Sequence, residues 1–150
     1  MTIESAITFG VSTANFVPNP IRPQWILEGN PVARTECLSS SADGMAGTFL
    51  WDCTAGRFNW FYNFDETLHI LQGSVSLKHP NGKVSLVSAG DTIYFPKGSS
   101  AEWTVEKYVL KVAFCRTPLP SYLIFARRIL RKLKGVLRGK GDSDKGSGLL

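Results

Sequence analysis

The chain has 150 residues, of which 43% are hydrophobic, so it is long enough to bury one substantial core and too short for a second full domain. Its net charge of +5 is unevenly distributed: residues 1–118 carry nine basic and ten acidic side chains, and residues 119–150 carry eight and two. The three cysteines, Cys37, Cys53 and Cys115, are odd in number and lack metal-ligand spacing, which argues against a disulfide framework. We therefore expect free, buried thiols and a basic tail on a nearly neutral body.

The first residues predict no targeting segment. They lack a basic region followed by an apolar run, and the sequence contains no stretch of roughly 18 uncharged apolar residues. We expect a cytoplasmic, reducing environment.

Residues 1–23 predict an extended arm, because Pro18, Pro20 and Pro23 cannot donate regularly to a sheet. Short strands are predicted at residues 25–27 and 32–35. A loop rich in turn-forming residues follows at 39–44.

The region up to residue 118 predicts an all-β domain. Residues 48–53 form a strand pattern with Phe49 and Trp51 on one face. Seven further short runs, separated by Gly, Pro, Asn or Ser, are residues 57–62, 67–72, 74–79, 83–87, 92–95, 102–105 and 108–115. Many short strands at this spacing indicate a sandwich or small barrel, and no convincing helical period precedes Leu119.

Two glycine-punctuated patterns flank a predicted hairpin, whose strands alternate apolar and polar residues around a turn at residues 80–82. The first pattern runs from Glu66 to Gly73, and the second contains Gly90, Pro96 and Gly98. They resemble the two motifs of the cupin superfamily. More narrowly, residues 29–34, 60–62, 65–66, 69–73, 89–91 and 95–98, with Trp103 and Lys111, resemble the ureidoglycine aminohydrolase-type, DUF861-like cupins. This resemblance implies a cupin-type double-stranded β-helix, or jelly-roll barrel, over residues 24–118, and it is much less specific for function.

The resemblance also implies metal-ligand positions at residues 60, 62, 66 and 101. These are Trp60, Tyr62, Glu66 and Ala101, of which only Glu66 is a usual ligand. We therefore expect no tightly bound catalytic metal. His69 is a candidate for a second metal ligand beside Glu66. However, an odd separation along a strand puts the two side chains on opposite faces unless a bulge intervenes.

The predicted barrel mouth contains an aromatic box, formed by Trp60, Tyr62 and Trp103 around Glu66. Such rings could stack on a planar or sugar-like ligand while the carboxylate orients it. The alternative is that they simply fill the interior of a small barrel. The residues leave both interpretations open.

Lys111 is the only charged residue in the run 109–114. It faces either solvent or a carboxylate, because an unpaired buried ammonium is costly. The family resemblance implies that it points inward, where it would pair with Glu66. One member of such a pair could act as a general base, so Glu66 and Lys111 are the candidate catalytic residues.

Residues 119–138 predict a basic amphipathic helix with Ser121 as N-cap, and residues 139–150 a disordered polar tail. At 100° per residue, one arc carries Tyr122, Phe125, Ala126, Ile129, Leu130, Leu133, Val136 and Leu137. The opposite arc carries Arg127, Arg128, Arg131, Lys132, Lys134 and Arg138, with Ile124 as the one apolar exception. The helix could dock on the barrel or a second subunit, or lie on an anionic membrane; a lack of interleaved aromatic residues weighs against nucleic acid.

Three functions remain open at this point. The first is a homodimeric cupin that binds a small molecule, with Trp60, Tyr62 and Trp103 as walls and Glu66 and Lys111 as polar anchors. The second is an enzyme, either an isomerase or cyclase in which Glu66 moves a proton, or an aminohydrolase relative in which Glu66 and His69 contribute metal ligands. The third is a scaffold recruited through residues 119–138 to a partner or to the inner face of a membrane.

Overall fold

The computed structural model of the chain describes residues 6–139, and their side chains as far as residue 134. The chain separates into two compact units, residues 1–118 and residues 119–150. The first unit is built from β-strands and the second contains a helix. No helix of the described residues is long and apolar enough to cross a bilayer.

The strands form one antiparallel sheet that is folded on itself. In chain order they are β1 (Val17–Pro18), β2 (Ile26–Glu28), β3 (Ala33–Ser40), β4 (Ala46–Phe61), β5 (Asp65–Lys78), β6 (Val84–Ser88), β7 (Thr92–Phe95) and β8 (Ser100–Arg116). Short 3₁₀ turns lie at Val11–Thr13 and Pro23–Trp25. The main path of the sheet is β1-β3-β4-β8-β5-β6, with β2 paired to β4 and β7 paired to β5. This arrangement agrees with the predicted all-β, cupin-type fold.

Three long strands, β4, β5 and β8, pass through both layers of the fold. The first half of β4 pairs with β3 and its second half with β2, and the register shifts between Thr54 and Gly56. Likewise β5 pairs first with β7 and then with β6. Its register against β8 shifts near Gly73, which has a φ of 78°. Bulges of this kind bend a strand without ending it, so one strand contributes to two layers.

The core lies between these layers and is dominated by aromatic and branched side chains. Its most buried large members are Trp103, Tyr62, Phe58, Leu68, Ile70, Leu77, Val75 and Val109. Alternation along each strand places Leu68 and Ile70 inside and His69 on the opposite face. Glu66 and Lys111 occupy inward positions of the same pattern, so both charged side chains lie among apolar core residues. Asp52 is also buried, and it pairs with the partly exposed Arg34.

The structure corrects several strand boundaries and one terminal prediction. Pairs of predicted strands at 48–53 and 57–62, at 67–72 and 74–79, and at 102–105 and 108–115 are the single strands β4, β5 and β8. The N-terminal arm is not wholly outside the sheet, because Val17 and Pro18 pair with Thr35 and Arg34 of β3. Proline is tolerated there because β1 is an edge strand.

The helix and the cysteines also differ in detail from the prediction. Helix α1 spans Ser121–Gly139, so Ser121 is its first helical residue and not its N-cap. The predicted disordered tail, apart from Gly139, lies outside the described residues. Cys53 is buried as expected, whereas Cys115 is only partly buried and Cys37 is exposed.

Candidate functional site

The Lys111 ammonium and the Glu66 carboxylate form an ion pair inside the barrel, with Nζ 2.5 Å from Oε1. Glu66 is 3% exposed and Lys111 is 4% exposed. Glu66 comes from β5, where it pairs with Cys115 of β8, and Lys111 lies four residues earlier on β8. The long lysine side chain bridges this offset. The pair suggested by the family resemblance is therefore formed in the structure.

Two indole rings surround the same ammonium. Lys111 Nζ lies 4.9 Å from the ring centre of Trp51 and 5.0 Å from that of Trp103. A desolvated cation is attracted to the faces of such rings, which replace part of its lost hydration. The indole Nε1 of Trp51 is itself buried and has no hydrogen-bond partner among the described residues. An unpaired buried donor is uncommon in proteins, and here it is close to a charged group.

Tyr62 closes another side of this interior and is neutral. Its ring stacks on Phe95 with centroids 4.1 Å apart, and its hydroxyl accepts a hydrogen bond of 3.2 Å from Trp103 Nε1. Burial, reinforced by the nearby negative charge of Glu66, raises the pKa of Tyr62 well above its ordinary value. Tyr62 is therefore a packed, hydrogen-bonded phenol that carries no charge for a ligand to use.

The three rings of the predicted aromatic box are packed against other rings. Trp103 stacks on Phe58, and its ring lies 5.9 Å from that of Trp51 in an edge-to-face arrangement. Trp60 contacts Trp25, Trp51 and Phe58 and is only partly buried. Trp103 and Tyr62 are thus part of the core that surrounds the ion pair.

A cleft of about 190 Å³, which we call the mouth cleft, lies where β3 and β8 end and β4 and β5 begin, and none of the five predicted site residues lines it. Its lining residues are Ser40, Gly44, Met45, Ala46, Gly47, Phe49, Phe64, Cys115, Arg116 and Thr117. Cys115 borders the cleft and is also the direct β-partner of Glu66, so it connects the two. Burial, with a smaller effect of Glu66, raises the pKa of the Cys115 thiol to about 12, although Lys111 acts in the opposite direction. The thiol is consequently protonated at neutral pH.

Gly47 keeps this cleft open. A Cβ atom at this position would lie 2.8 Å from the Phe49 ring, so a larger residue would displace that ring. The Phe49 and Phe64 rings give the cleft an apolar wall, and Arg116 gives its rim a cation that pairs with Asp65 at 2.8 Å. The cleft therefore offers both stacking surface and polar contacts.

The donor set of the interior does not fit a transition metal. Of the positions implied by the family resemblance, Trp60 and Ala101 have no ligating atom, and Tyr62 is a protonated phenol. The remaining carboxylate, Glu66, is already neutralised by an ammonium group, which would repel a metal cation. His69 cannot complete the set, because its side chain is on the other face of β5 and pairs with Thr92 Oγ1 at 2.8 Å.

A larger cleft, of about 560 Å³, adjoins the mouth cleft and shares five lining residues with it, Ser40, Ala46, Gly47, Cys115 and Arg116. It is lined partly by Thr48, Thr67, Tyr94 and Phe114, which share one register row and alternate with inward residues. This part of it therefore lies on the outer face of the sheet, and none of the five predicted site residues lines either cleft.

The prediction from sequence missed Trp51, Phe49 and Cys115 as parts of this site. The signal for two of them was present, since the alternation in residues 48–53 placed Phe49 and Trp51 on one face. Their neighbours could not be known without the register, which sets Trp51 directly opposite Lys111. Cys115 was expected only as a buried thiol.

Comparison with known proteins shows which protein family the barrel resembles. Residues 40–113 match the family described as the EutQ-like cupin domain. The chain is also 38% identical over 58 residues to a protein named acetate kinase EutQ from Salmonella typhimurium, covering 39% of this chain and 24% of that protein. The chain thus spans about a quarter of the length of the curated relatives that it matches.

Solved structures agree with this result. A protein of unknown function of the DUF861 family from Pseudomonas syringae pv. tomato superposes with a TM-score of 0.64 at 25% identity, over 69% of this chain and 45% of that one. The EutQ protein of Clostridium difficile superposes with a TM-score of 0.51 at 23% identity, over 57% and 63% of the two chains, which supports the fold alone. The DUF861-like resemblance seen in the sequence is confirmed.

Proposed function

We propose that the barrel of this chain, whose residues 40–113 match the EutQ-like cupin domain, binds a small polar organic molecule at the mouth, above the Glu66–Lys111 pair. The observation that carries the proposal is that both members of this pair are buried among aromatic and aliphatic side chains, whereas the Arg34 partner of the buried Asp52 reaches solvent. A buried ion pair gains little or no stability over apolar side chains of similar volume. A role in binding explains its presence better than a role in folding.

The pair has hydrogen-bonding capacity to spare. Glu66 occupies one of the three N–H donors of the Lys111 ammonium, and the Trp51 indole N–H is an additional donor without a partner among the described residues. A ligand with a carboxylate, carbonyl or hydroxyl oxygen would match these donors. Its apolar part would lie against Phe49 and Phe64 in the mouth cleft.

The size of the cleft limits the ligand. Pockets for drug-sized molecules are about 300–1,000 Å³, and the mouth cleft is about 190 Å³. The proposed ligand is therefore small. Trp60, Tyr62 and Trp103 contribute as the packed support behind the ion pair and not as open walls, which revises the role that the sequence suggested for them.

The test is a thermal-shift and tryptophan-fluorescence screen with small carboxylic acids, amides and monosaccharides. We expect at least one compound to raise the Tm and change the emission of the indoles beside Lys111. Glu66→Gln should abolish the response.

If this single variant does not fold, the double variant Glu66→Gln/Lys111→Met, which leaves no unpaired charge, serves instead. Glu102→Gln is the matched control, because Glu102 pairs with Arg57 away from the mouth. Equal responses from the Glu66 variant, or none from the whole panel, would contradict the proposal.

The same geometry supports a second candidate, an enzyme in which Glu66 moves a proton. A carboxylate and an ammonium separated by 2.5 Å can exchange a proton with each other and with a bound substrate. Mass spectrometry of the screening mixtures distinguishes the two functions, since an enzyme converts a compound that a binding protein returns unchanged. An aminohydrolase in which Glu66 and His69 bind the same metal is less favoured, because the two side chains are on opposite faces of β5.

A further inference from the structure

We propose that helix α1 binds anionic lipid surfaces, lying in the membrane interface with its apolar face toward the acyl chains. The helix spans Ser121–Gly139, and the side chains of its predicted apolar arc are exposed as far as Leu133, within the part of the helix whose side chains are described. Tyr122 is 70% exposed, Phe125 66% and Leu130 59%. A solvent-exposed apolar face of this length needs a partner surface.

Charge identifies the kind of surface. Within residues 119–134 the helix carries Arg127, Arg128, Arg131, Lys132 and Lys134 and no acidic residue. The first turn also lacks an acid, so the positive end of the helix dipole is not neutralised by a side chain. Residues 1–118 carry one more acidic than basic side chain, so the attraction to anions is concentrated in the C-terminal region.

The two faces together favour lipid over the other partners. Basic residues opposite an apolar arc, with Tyr and Phe near one end, are typical of helices that lie in the headgroup region of anionic bilayers. A nucleic acid would engage the basic face and leave Phe125 and Ile129 in water. A second protein copy would cover the apolar face without using the cations. Only a lipid interface uses both faces.

The helix provides a matched pair of isoleucines for the test. Ile129 lies on the apolar arc and Ile124 among the basic residues, about 140° apart around the axis. Their exposures are similar, 43% and 39%. Changing each to serine removes the same apolar group from the same helix, so any difference between the variants reports which face binds.

The experiment is co-sedimentation of the full chain with phosphatidylcholine vesicles, with and without phosphatidylglycerol. We expect binding only with phosphatidylglycerol, and weaker binding as NaCl is raised. Ile129→Ser should reduce the affinity roughly ten-fold and Ile124→Ser less than about two-fold. Circular dichroism and the Tm of the barrel verify that both variants are folded.

Three outcomes would overturn the proposal. The first is equal vesicle binding by the two variants. The second is an absence of vesicle binding together with a change in light-scattering mass on Ile129→Ser, which would assign the face to a second copy of this chain. The third is tighter binding to duplex DNA than to anionic vesicles, which would assign the basic face to nucleic acid.

Discussion

Trp51 of β4 and Lys111 of β8 are direct partners in the antiparallel register, and the Lys111 ammonium lies 4.9 Å from the centre of the Trp51 ring. The charge is therefore held by one carboxylate and two indole faces in place of water. Cation–π attraction is strongest for such desolvated cations, at about 2 kcal/mol. The site consequently depends on both members of the ion pair being present.

Replacing one member of the pair is expected to destabilise the barrel strongly. Lys111→Met leaves the Glu66 carboxylate buried without a partner, and we expect the free energy of unfolding to fall by about 3–5 kcal/mol. The double variant Lys111→Met/Glu66→Gln should recover most of this loss, because no buried charge remains. Urea denaturation of the three proteins measures the cycle. A single variant that costs less than about 1 kcal/mol would show that water or another group stabilises Glu66.

Gly73 is expected to be nearly irreplaceable. A Cβ atom there would lie 2.0 Å from the Tyr108 carbonyl oxygen, and the φ of 78° already disfavours other residues. Gly73→Ala should cost about 3 kcal/mol or more in unfolding free energy.

Gly82 provides the control for Gly73, since its φ is 81° and a Cβ atom would meet no atom within 4 Å. Gly82→Ala therefore carries only the backbone penalty, about 1 kcal/mol. Equal Tm changes for the two variants would mean that β5 and β8 can separate at the bulge.

Removing the Tyr62 hydroxyl should leave the Trp103 indole N–H buried without its partner. We expect Tyr62→Phe to lower the free energy of unfolding by about 1–3 kcal/mol, because no hydrogen bond then offsets the desolvation of the Trp103 indole N–H. Tyr122→Phe makes the same chemical change at a residue that is 70% exposed. Its free energy of unfolding should be within about 0.5 kcal/mol of that of the parent protein. Chemical denaturation compares them, and an unchanged stability of Tyr62→Phe would indicate that Trp103 finds another acceptor.

Alkaline pH should destabilise the barrel through its two sheltered thiols. Burial is the main cause that raises the pKa of Cys53 and of Cys115 from the ordinary 9.0 to about 12. Above pH 9 the unfolded chain releases these protons and the folded chain retains them, so stability falls as the pH rises from 9 toward 12.

Substitution of each thiol should make this decline shallower. We expect Cys53→Ala and Cys115→Ala to reduce the slope of unfolding free energy against pH in this range, whatever their effect at pH 7. Cys37→Ala is the control, because Cys37 is exposed. If all three variants keep the parent slope, tyrosine ionisation and not the thiols causes the alkaline loss.

Much of the fold follows from local patterns. The hairpin was predicted because Val75 and Leu77 alternate with polar residues before a turn, and Val75 pairs with Val87 in the structure. Strand ends follow less well from local patterns, because glycines such as Gly56 and Gly73 are typical of turns between strands. Both are bulge positions at which pairing continues in a shifted register, and only the tertiary fold distinguishes such a bulge from a turn.

The site was predictable in its charges but not in its packing. The position of Lys111 in an apolar run, with the family resemblance, was enough to suggest a pair with Glu66. Whether Trp103 and Tyr62 line a cavity or fill the interior depends on the volume between the layers. Alternation along a strand is the same in both cases, so the sequence pattern carries no information on this point.

The passage of β4, β5 and β8 through both layers restricts how a ligand could reach the interior of the barrel. Because the same hydrogen-bonded backbones make up the front and the back of the shell, the halves cannot swing apart as hinged lobes do. For the ligand binding proposed above, entry would rely on short excursions of two segments at the rim, residues 41–45 and 63–64, while the shell itself stays rigid. Amide exchange should accordingly be fast at these two rim segments and slowest along the shared strands.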